Sequence, residues 1–531
     1  MRIRTVVTGI VVLVWLGAVW GLHKRSADQS FLEQGARVDV VSEEFVLRED
    51  YLGVYLNDQK IGYTSFLLKE AGEQTQSAAG DRVYLYTSES RLRVDAMGIP
   101  FDVRMKSHGS VNADLELMDF SFAFESSGQT IQSVGTIEDN TLRVTTKSEG
   151  SEDIHEYPLK GPLFAPDIIH LVVARRGLEV GKQWSLAVYD PLTTSIGEIE
   201  ARVEGLETID WEGEETEAYH LTLSFKGFTE DAWVDEAGDV FKERSSFGGI
   251  SFVCKRETRQ EAMGGLDSEA APLDLISASL IPSDVEIPYP EDIVEMRVEV
   301  SGCQPSDLYL DGITQTLVEK DPIGTFEVLI QKRDYAALLA EKDTPGVRYS
   351  GSEDMAEFLE SEPLVQSNHE RIQKQAQNIV GNADSRWKAV LRISEWLHEN
   401  IEKEIRVTIP SALEVLNSMS GDCNEHSTLF AGLSRSLGIP TKICAGVVYQ
   451  EKAFYYHAWN EVLIGDEDPV WLPVDSTLGR PRMDAAHLKL NEGSLDKQVE
   501  LAKLIGNMDL RILGWRDDSG NTFERDSAEE Q

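Results

Sequence analysis

Basic residues are scarce in this sequence. Over 531 residues, 50 Lys and Arg stand against 92 Asp and Glu, a formal net charge of -42. Such a chain repels a phosphate backbone wherever screening leaves a field, which excludes nucleic acid as a partner. The acidity itself fits a solvated surface and specifies no substrate. Cysteine is scarcer still: Cys254, Cys303, Cys423 and Cys444 are too few for a disulfide scaffold and contain no CxxC pair. Their number does not reveal the redox compartment, and pairing of Cys254 with Cys303 is left open. The sequence also lacks an internal repeat, a P-loop, a dinucleotide-binding glycine pattern and an HExxH helix, so nothing in it calls for a nucleotide or a catalytic zinc. His426 follows Cys423 at a spacing seen in zinc sites, but no second Cys/His pair completes four ligands. No cofactor and no metal are expected.

What is present is enough for several packed cores. The length, at roughly 150 residues per domain, suggests about three units, and a hydrophobic fraction of 41% is ordinary for a folded chain. The run from Thr5 to Leu22 is uncharged and mostly apolar, within the roughly 17–25 residues that cross a bilayer as a helix. Arg2 and Arg4 precede it and Lys24 and Arg25 follow, so the positive-inside comparison tips toward a cytoplasmic N-terminus only through the terminal amine. A cleaved signal peptide is the rival, but Gly21-Leu-His-Lys-Arg25 offers no small-x-small cleavage site. Residues 5–22 are therefore expected to be a single-pass anchor in the cytoplasmic membrane, with residues 26–531 outside the cytoplasm.

Beyond the anchor the hydrophobic period is two. Tyr51–Leu56, the turn residues Asn57-Asp58 and Lys60–Phe66 read as a hairpin. Arg91-Leu-Arg-Val-Asp, Phe101-Asp-Val-Arg-Met-Lys and Leu115-Glu-Leu alternate apolar and polar as half-buried antiparallel strands do. One helix is expected to interrupt them from Pro166 to Arg175, stopped by Gly177. This β-rich domain covers 45–263, and a linker-like stretch from Gly264 separates it from a shorter β-rich segment, 281–335. From about 350 the period becomes helical, with Val390, Ile393, Leu397 and Ile401 on one side of a helix beginning near Ala383. An α+β domain is thus expected over 350–515, separable in a fragment starting near residue 345, before a disordered tail at 516–531.

The chemistry-bearing residues fall in that last domain. Ser411 with Glu414, and then Asp422 with Glu425, form two capping boxes, so Cys423 occupies the first turn of a helix that runs to Gly438 and Pro440. Unpaired N–H groups and the positive end of the dipole at that position favour a thiolate. Phe454–Ile464 and Val470–Asp475 read as a hairpin across Gly465–Pro469. If its turn centres on Asp466, His457 lies directly opposite Asp475, close enough for the carboxylate to orient the imidazole. A one-residue slip would put the two on opposite faces. Trp459 shares the face of His457, and Cys444 is expected in the core. His487 could lie at the domain edge or approach the cleft.

Gly421-Asp-Cys-Asn-Glu-His-Ser-Thr-Leu-Phe, His457-Ala-Trp-Asn-Glu-Val and Trp471-Leu-Pro-Val-Asp-Ser-Thr, in that order, resemble the transglutaminase-like superfamily. Leu364-Val-Gln-Ser-Asn and Asp484-Ala-Ala-His-Leu-Lys-Leu are similar to its bacterial, membrane-associated members, and the region before about 280 resembles the β-rich domain that often precedes such cores. The resemblance implies a multidomain chain ending in a papain-like α+β core. It also implies Cys423 as nucleophile, His457 as general base and acid, and Asp475 as the group that orients it, with His426 and Trp459 shaping the site. The implied reaction is acyl transfer or hydrolysis on a protein or peptide amide through a thioester, in the periplasm or its equivalent. Transamidation and hydrolysis share that intermediate, and the sequence does not choose between them. A second reading stands beside it, in which the papain-like fold has lost catalysis and serves as a cell-envelope binding module.

Overall fold

The computed structural model describes residues 45–525 apart from 57, 72–81, 97–98, 127–128, 149–150, 227, 248–249, 265–279, 311, 321–323, 405–408, 494–503 and 505–506. The expected anchor at 5–22 lies outside the described residues, and among those described no helix is long and apolar enough to cross a membrane. The chain divides between Leu275 and Ile276 into two units.

In the first unit, fourteen strands from β1 (Phe45–Leu56) to β14 (Ile250–Arg256) form one antiparallel sheet. It consists of two meanders, β1 to β8 (Ser151–Pro158) and β9 (Gln183–Asp190) to β14, joined where β1 pairs β14 with Val54 opposite Cys254. Alternation sets the faces as expected: Phe101, Val103 and Met105 are buried, while Asp102, Arg104 and Lys106 are more open. On the open face Arg91 directly opposes Arg104, and Asp102 relieves that repulsion by accepting from both guanidiniums at 3.0 and 3.2 Å. The expected helix is a 3₁₀ turn, Pro166–Ile168, running into Ile169–Arg176 and ended by Gly177 at φ 105°. It is fixed to the sheet by Ser88, which donates to Asp167 at 2.7 Å, and by the edge contact of Phe66 with His170.

The second unit holds two five-stranded sheets. One, ordered β17 (Gln315–Lys320), β18 (Phe326–Gln331), β16 (Ile293–Ser301), β25 (Asp509–Asp517), β26 (Thr522–Glu524), joins the segment after the linker to the end of the chain. The other is ordered β15 (Ile281–Pro282), β22 (Ala453–Ile464), β21 (Thr441–Gln450), β24 (His487–Glu492), with β23 (Val470–Val474) on β22. The division expected near 350 is therefore not a boundary in the packing. Val298 of β16 pairs with Ile512 of β25, Ile281 pairs with Phe454, and the Tyr335 hydroxyl donates to the Pro473 carbonyl at 2.7 Å. The range expected as a disordered tail carries strand up to Glu524, since Phe523 pairs with Trp515; residues 526–531 lie outside the described residues.

Four helices, Glu370–Val380, Arg386–Asn400, Ala412–Ser418 and Cys423–Ser436, enclose the core beside β22 and β23. Val390, Ile393, Leu397 and Ile401 all enter that core, together with Leu429, Phe430 and Leu433 from the Cys423 helix. Of the two expected capping boxes only the second forms. Ser411 makes no side-chain cap, because its hydroxyl is engaged by Gln366, whose amide nitrogen donates to it at 2.9 Å. The same Gln366 caps that helix in its place, its carbonyl oxygen accepting from the Leu413 N–H at 3.2 Å. The β22–β23 turn is held by buried Arg386, which donates to the carbonyls of Leu463 and Gly465 and to the Asp466 carboxylate.

Candidate active site

Cys423 is the first residue of its helix, behind a complete capping box in which Asp422 accepts from the first-turn amides and Glu425 accepts from the Asp422 N–H. The Asn460 amide on β22 donates to the Ser427 carbonyl of this helix at 3.0 Å and to the Lys442 carbonyl of β21 at 3.2 Å. One side chain thus locks the helix to both strands. The backbone N–H of Ala458, next after His457, is close enough to the Cys423 sulfur to favour its thiolate, which sets the thiol beside the histidine position.

His457 Nε2 lies 2.8 Å from Asp475 Oδ2. Strand register brings them together, but not in direct opposition. Asn460 pairs with Val474 and Ile464 with Val470, so the turn centres on Glu467 and continuation of the pairing would place Asp475 opposite Trp459. A shift of two residues preserves side-chain parity, and Asp475 meets His457 as a diagonal neighbour on the same face. With Nε2 donating to the carboxylate, His457 Nδ1 is left buried and without a partner, and it is this atom that would take a proton from an adjacent thiol.

The electrostatics of the thiol reverse the sequence expectation. Burial pushes Cys423 well above the usual thiol range, and the Asp422 carboxyl acts the same way, against the hydrogen bond from Ala458. Asp422 is itself raised, by burial and by Glu425. Cys423 and Asp475 are 0% exposed and His457 2%, so desolvation outweighs the dipole of the helix terminus in this closed arrangement. Burial works against the charge on Asp475 too, but His457 and His487 hold it well below the usual carboxylate range.

His426 is buried with Nδ1 donating to the Asp422 carbonyl at 2.6 Å, and its Nε2 has no partner. It supports the helix entry and presents an open acceptor. The Trp459 ring lies 6.1 Å from that of His457 and packs with Cys444 and Met483. Cys254, Cys303, Cys423 and Cys444 are all buried, and no disulfide joins any two of them. His487, whose place spacing leaves open, enters the site: its Nε2 is 3.3 Å from Asp475 Oδ2 and its Nδ1 2.8 Å from Asp484 Oδ1. The Asp484-x-x-His487 spacing is visible in the sequence, but nothing local shows that it folds back onto Asp475.

Two trios of ligand atoms lie within 4.8 Å of one another among the described residues, His457 with Asp475 and His487, and Cys444 with Glu461 and Glu492. In the first, both imidazoles point a nitrogen at the same carboxylate oxygen, the geometry of shared protons rather than of lone pairs converging on an ion. In the second, the Lys489 ammonium already sits 2.9 Å from Glu461 and 3.2 Å from Glu492.

Gly446 of β21 faces His457 across the ladder, and a Cβ there would stand 2.1 Å from the Leu488 carbonyl oxygen and 2.7 Å from the Trp459 ring. Gly446→Ala is therefore expected to destabilise this unit by about 1–3 kcal/mol through overpacking. A lowered urea midpoint at constant slope would show this; an unchanged midpoint would contradict the tight approach.

A thiol at a helix start, an imidazole on the adjacent strand and a carboxylate behind it define a fold of the cysteine-enzyme type. Residues 373–476 match the model of the transglutaminase-like superfamily, and the second unit carries a transglutaminase-like domain there. Among solved structures, a provisionally named cysteine protease from Cytophaga hutchinsonii is 17% identical, with 44% of this chain and 85% of that chain covered and a TM-score of 0.29. A β-barrel-like protein of a domain family of unknown function from Brucella abortus is 12% identical, covering 40% of this chain and 96% of that one at a TM-score of 0.29. A provisionally named protease from Parabacteroides distasonis is 12% identical, covering 85% and 70% at a TM-score of 0.18. No curated protein matches the chain.

Proposed function

We propose that the protein is a membrane-anchored cysteine acyltransferase or amidase acting outside the cytoplasm on protein or peptide amides. The observation that carries this reading is the 2.8 Å contact of His457 Nε2 with Asp475, which leaves Nδ1 unpartnered on the residue next to Ala458, whose N–H favours the Cys423 thiolate. In this mechanism the Cys423 proton passes to His457 as the sulfur attacks the amide carbonyl. Asp475 keeps the proton of His457 on Nε2 and stabilises the imidazolium. The imidazolium then protonates the leaving amine, and water or a second amine resolves the thioester. The first-turn N–H of Cys423 is the proposed oxyanion donor, because the capping box engages the amides around it.

Burial of the thiol requires the substrate to displace what covers it, and a sulfur that burial keeps protonated gives its proton to His457 only as it attacks the carbonyl. Burial also favours the binding-module reading, in which the thiol never reacts. An electrophilic probe separates the two. Iodoacetamide is expected to label Cys423 at least roughly tenfold faster than Cys254, Cys303 or Cys444 in folded protein, because His457 is the base proposed to take the Cys423 proton. Equal slow labelling of all four, read by peptide mass spectrometry, would favour the binding module.

A further inference from the structure

We infer that His487 is a charged positioning residue, an imidazolium clamped between Asp475 and Asp484 that fixes the Asp475 carboxylate and offsets its charge beside the reacting pair. The inference rests on the acyl-transfer reading above and assigns that site a fourth functional side chain.

A neutral imidazole has a single N–H, and its other nitrogen is a lone pair. His487 has a carboxylate oxygen at each nitrogen, Asp475 Oδ2 at 3.3 Å and Asp484 Oδ1 at 2.8 Å. If either carboxylate faced a lone pair, two acceptors would meet in a fully buried site, at the full cost of an unmade buried hydrogen bond. Neither carboxylate is in need of a proton of its own. Asp475 Oδ1 accepts from the Leu478 N–H at 2.9 Å and Oδ2 from His457. Asp484 Oδ1 accepts from the Ala486 N–H at 2.9 Å and Oδ2 from the Arg480 guanidinium at 2.6 Å. Both are held ionised, and the remaining donor that satisfies the set is a doubly protonated His487.

The surroundings agree. Burial opposes charge on His487, but Asp484 and Asp475 outweigh it and raise its proton affinity above that of a free imidazole. The other groups facing it are the His457 ring at 5.9 Å and the edge of Trp459 at 5.5 Å. Lys403 also acts on Asp475, and Glu291 reaches Arg480 at 3.9 Å. Within the inner set, the cations His487 and Arg480 balance the anions Asp475 and Asp484. These four charges therefore cancel before Cys423 and His457 separate charge, and Asp475 does not bind the imidazolium so tightly that the leaving group cannot take its proton.

A purely structural ion cluster would hold the turn before β24 without moving the titration of the reacting pair, so the pH profile is the decisive readout. The rate of Cys423 alkylation by iodoacetamide, followed from pH 4 to 10, is expected to move upward by ~1 pH unit on both limbs in His487→Gln, since loss of a nearby cation makes the thiol and imidazole hold their protons more tightly. Neutron diffraction from the parent chain is expected to show hydrogen on both Nδ1 and Nε2 of His487, a result that does not depend on the variant folding. An unmoved profile in a folded His487→Gln, or a single ring proton in the parent, would overturn the inference while leaving the nucleophile assignment intact. Parent Cys423 alkylated no faster than Cys254, Cys303 and Cys444 would instead overturn the acyl-transfer reading, and with it the role of the His487 cation in catalysis.

Discussion

Cys423→Ala is expected to abolish acyl transfer, because without the sulfur no thioester forms and the remaining site offers only weak binding and polarisation of the amide. His457→Ala is expected to lose nearly as much, since the thiol then lacks a proton acceptor and the departing amine its donor. The burial of the thiol sharpens that expectation: a sulfur pushed above the usual range by its surroundings has no spontaneous thiolate to fall back on. Asp475→Ala is expected to be milder, a loss of roughly two to four orders of magnitude by analogy with carboxylate removal from serine triads. Asp475 exchanges no proton; it selects the tautomer in which Nε2 of His457 donates and Nδ1 is free. The three rates, measured with one acyl donor at fixed pH, should fall in that order. A Cys423→Ala protein at parental rate would eliminate the mechanism, while an unaffected Asp475→Ala would reject only the third assignment.

The site is legible in the sequence where its chemistry is local. The Asp422–Glu425 capping box fixes Cys423 at a helix start from adjacent residues alone, and the box forms as the spacing requires. The hairpin is legible in its parity but not in its register, because a loop of polar residues accepts more than one centre and the choice is made by Arg386, distant in sequence, binding Leu463, Gly465 and Asp466. Ser411 fails as a cap for the same kind of reason, Gln366 arriving from another segment to take its hydroxyl. The proton affinity of the thiol comes out of the sequence with the wrong sign because the helix dipole is visible there and desolvation is not. His487 needs the three-dimensional fold outright, since its charge depends on two carboxylates converging from the residue after β23 and the turn before β24.

The largest departure from the sequence expectation concerns where the catalytic unit begins, and it leads to the second strong expectation: a fragment starting near residue 345 will not fold, whereas one starting at 276 will. The change of hydrophobic period near 350 is real, but a change of period marks a change of secondary structure and not of core. Met296, Val298 and Val300 of β16 are fully buried and pair with Trp515, Ile512 and Leu510 of β25. At about 2 kcal/mol for each fully buried apolar side chain, removing these three alone approaches the ~5–15 kcal/mol that stabilises a typical domain. The site itself leans on the same segment. Gln315 donates to the Lys489 carbonyl at 3.0 Å and accepts from its N–H at 2.9 Å, two residues beyond His487. The Tyr449 hydroxyl donates to the Val285 carbonyl at 2.6 Å, and Ala485 donates to the Ile293 carbonyl at 2.9 Å. Tyr335 holds Pro473, two residues before Asp475. Loss of residues 276–344 would expose β22, β24 and β25 together and leave the carboxylates around His487 without their scaffold. The 345–531 fragment is expected to be insoluble or to melt without a cooperative transition, and the 276–531 fragment to unfold in one. Cooperative unfolding of the shorter fragment at the midpoint of the longer one would show that residues 281–335 only decorate the core.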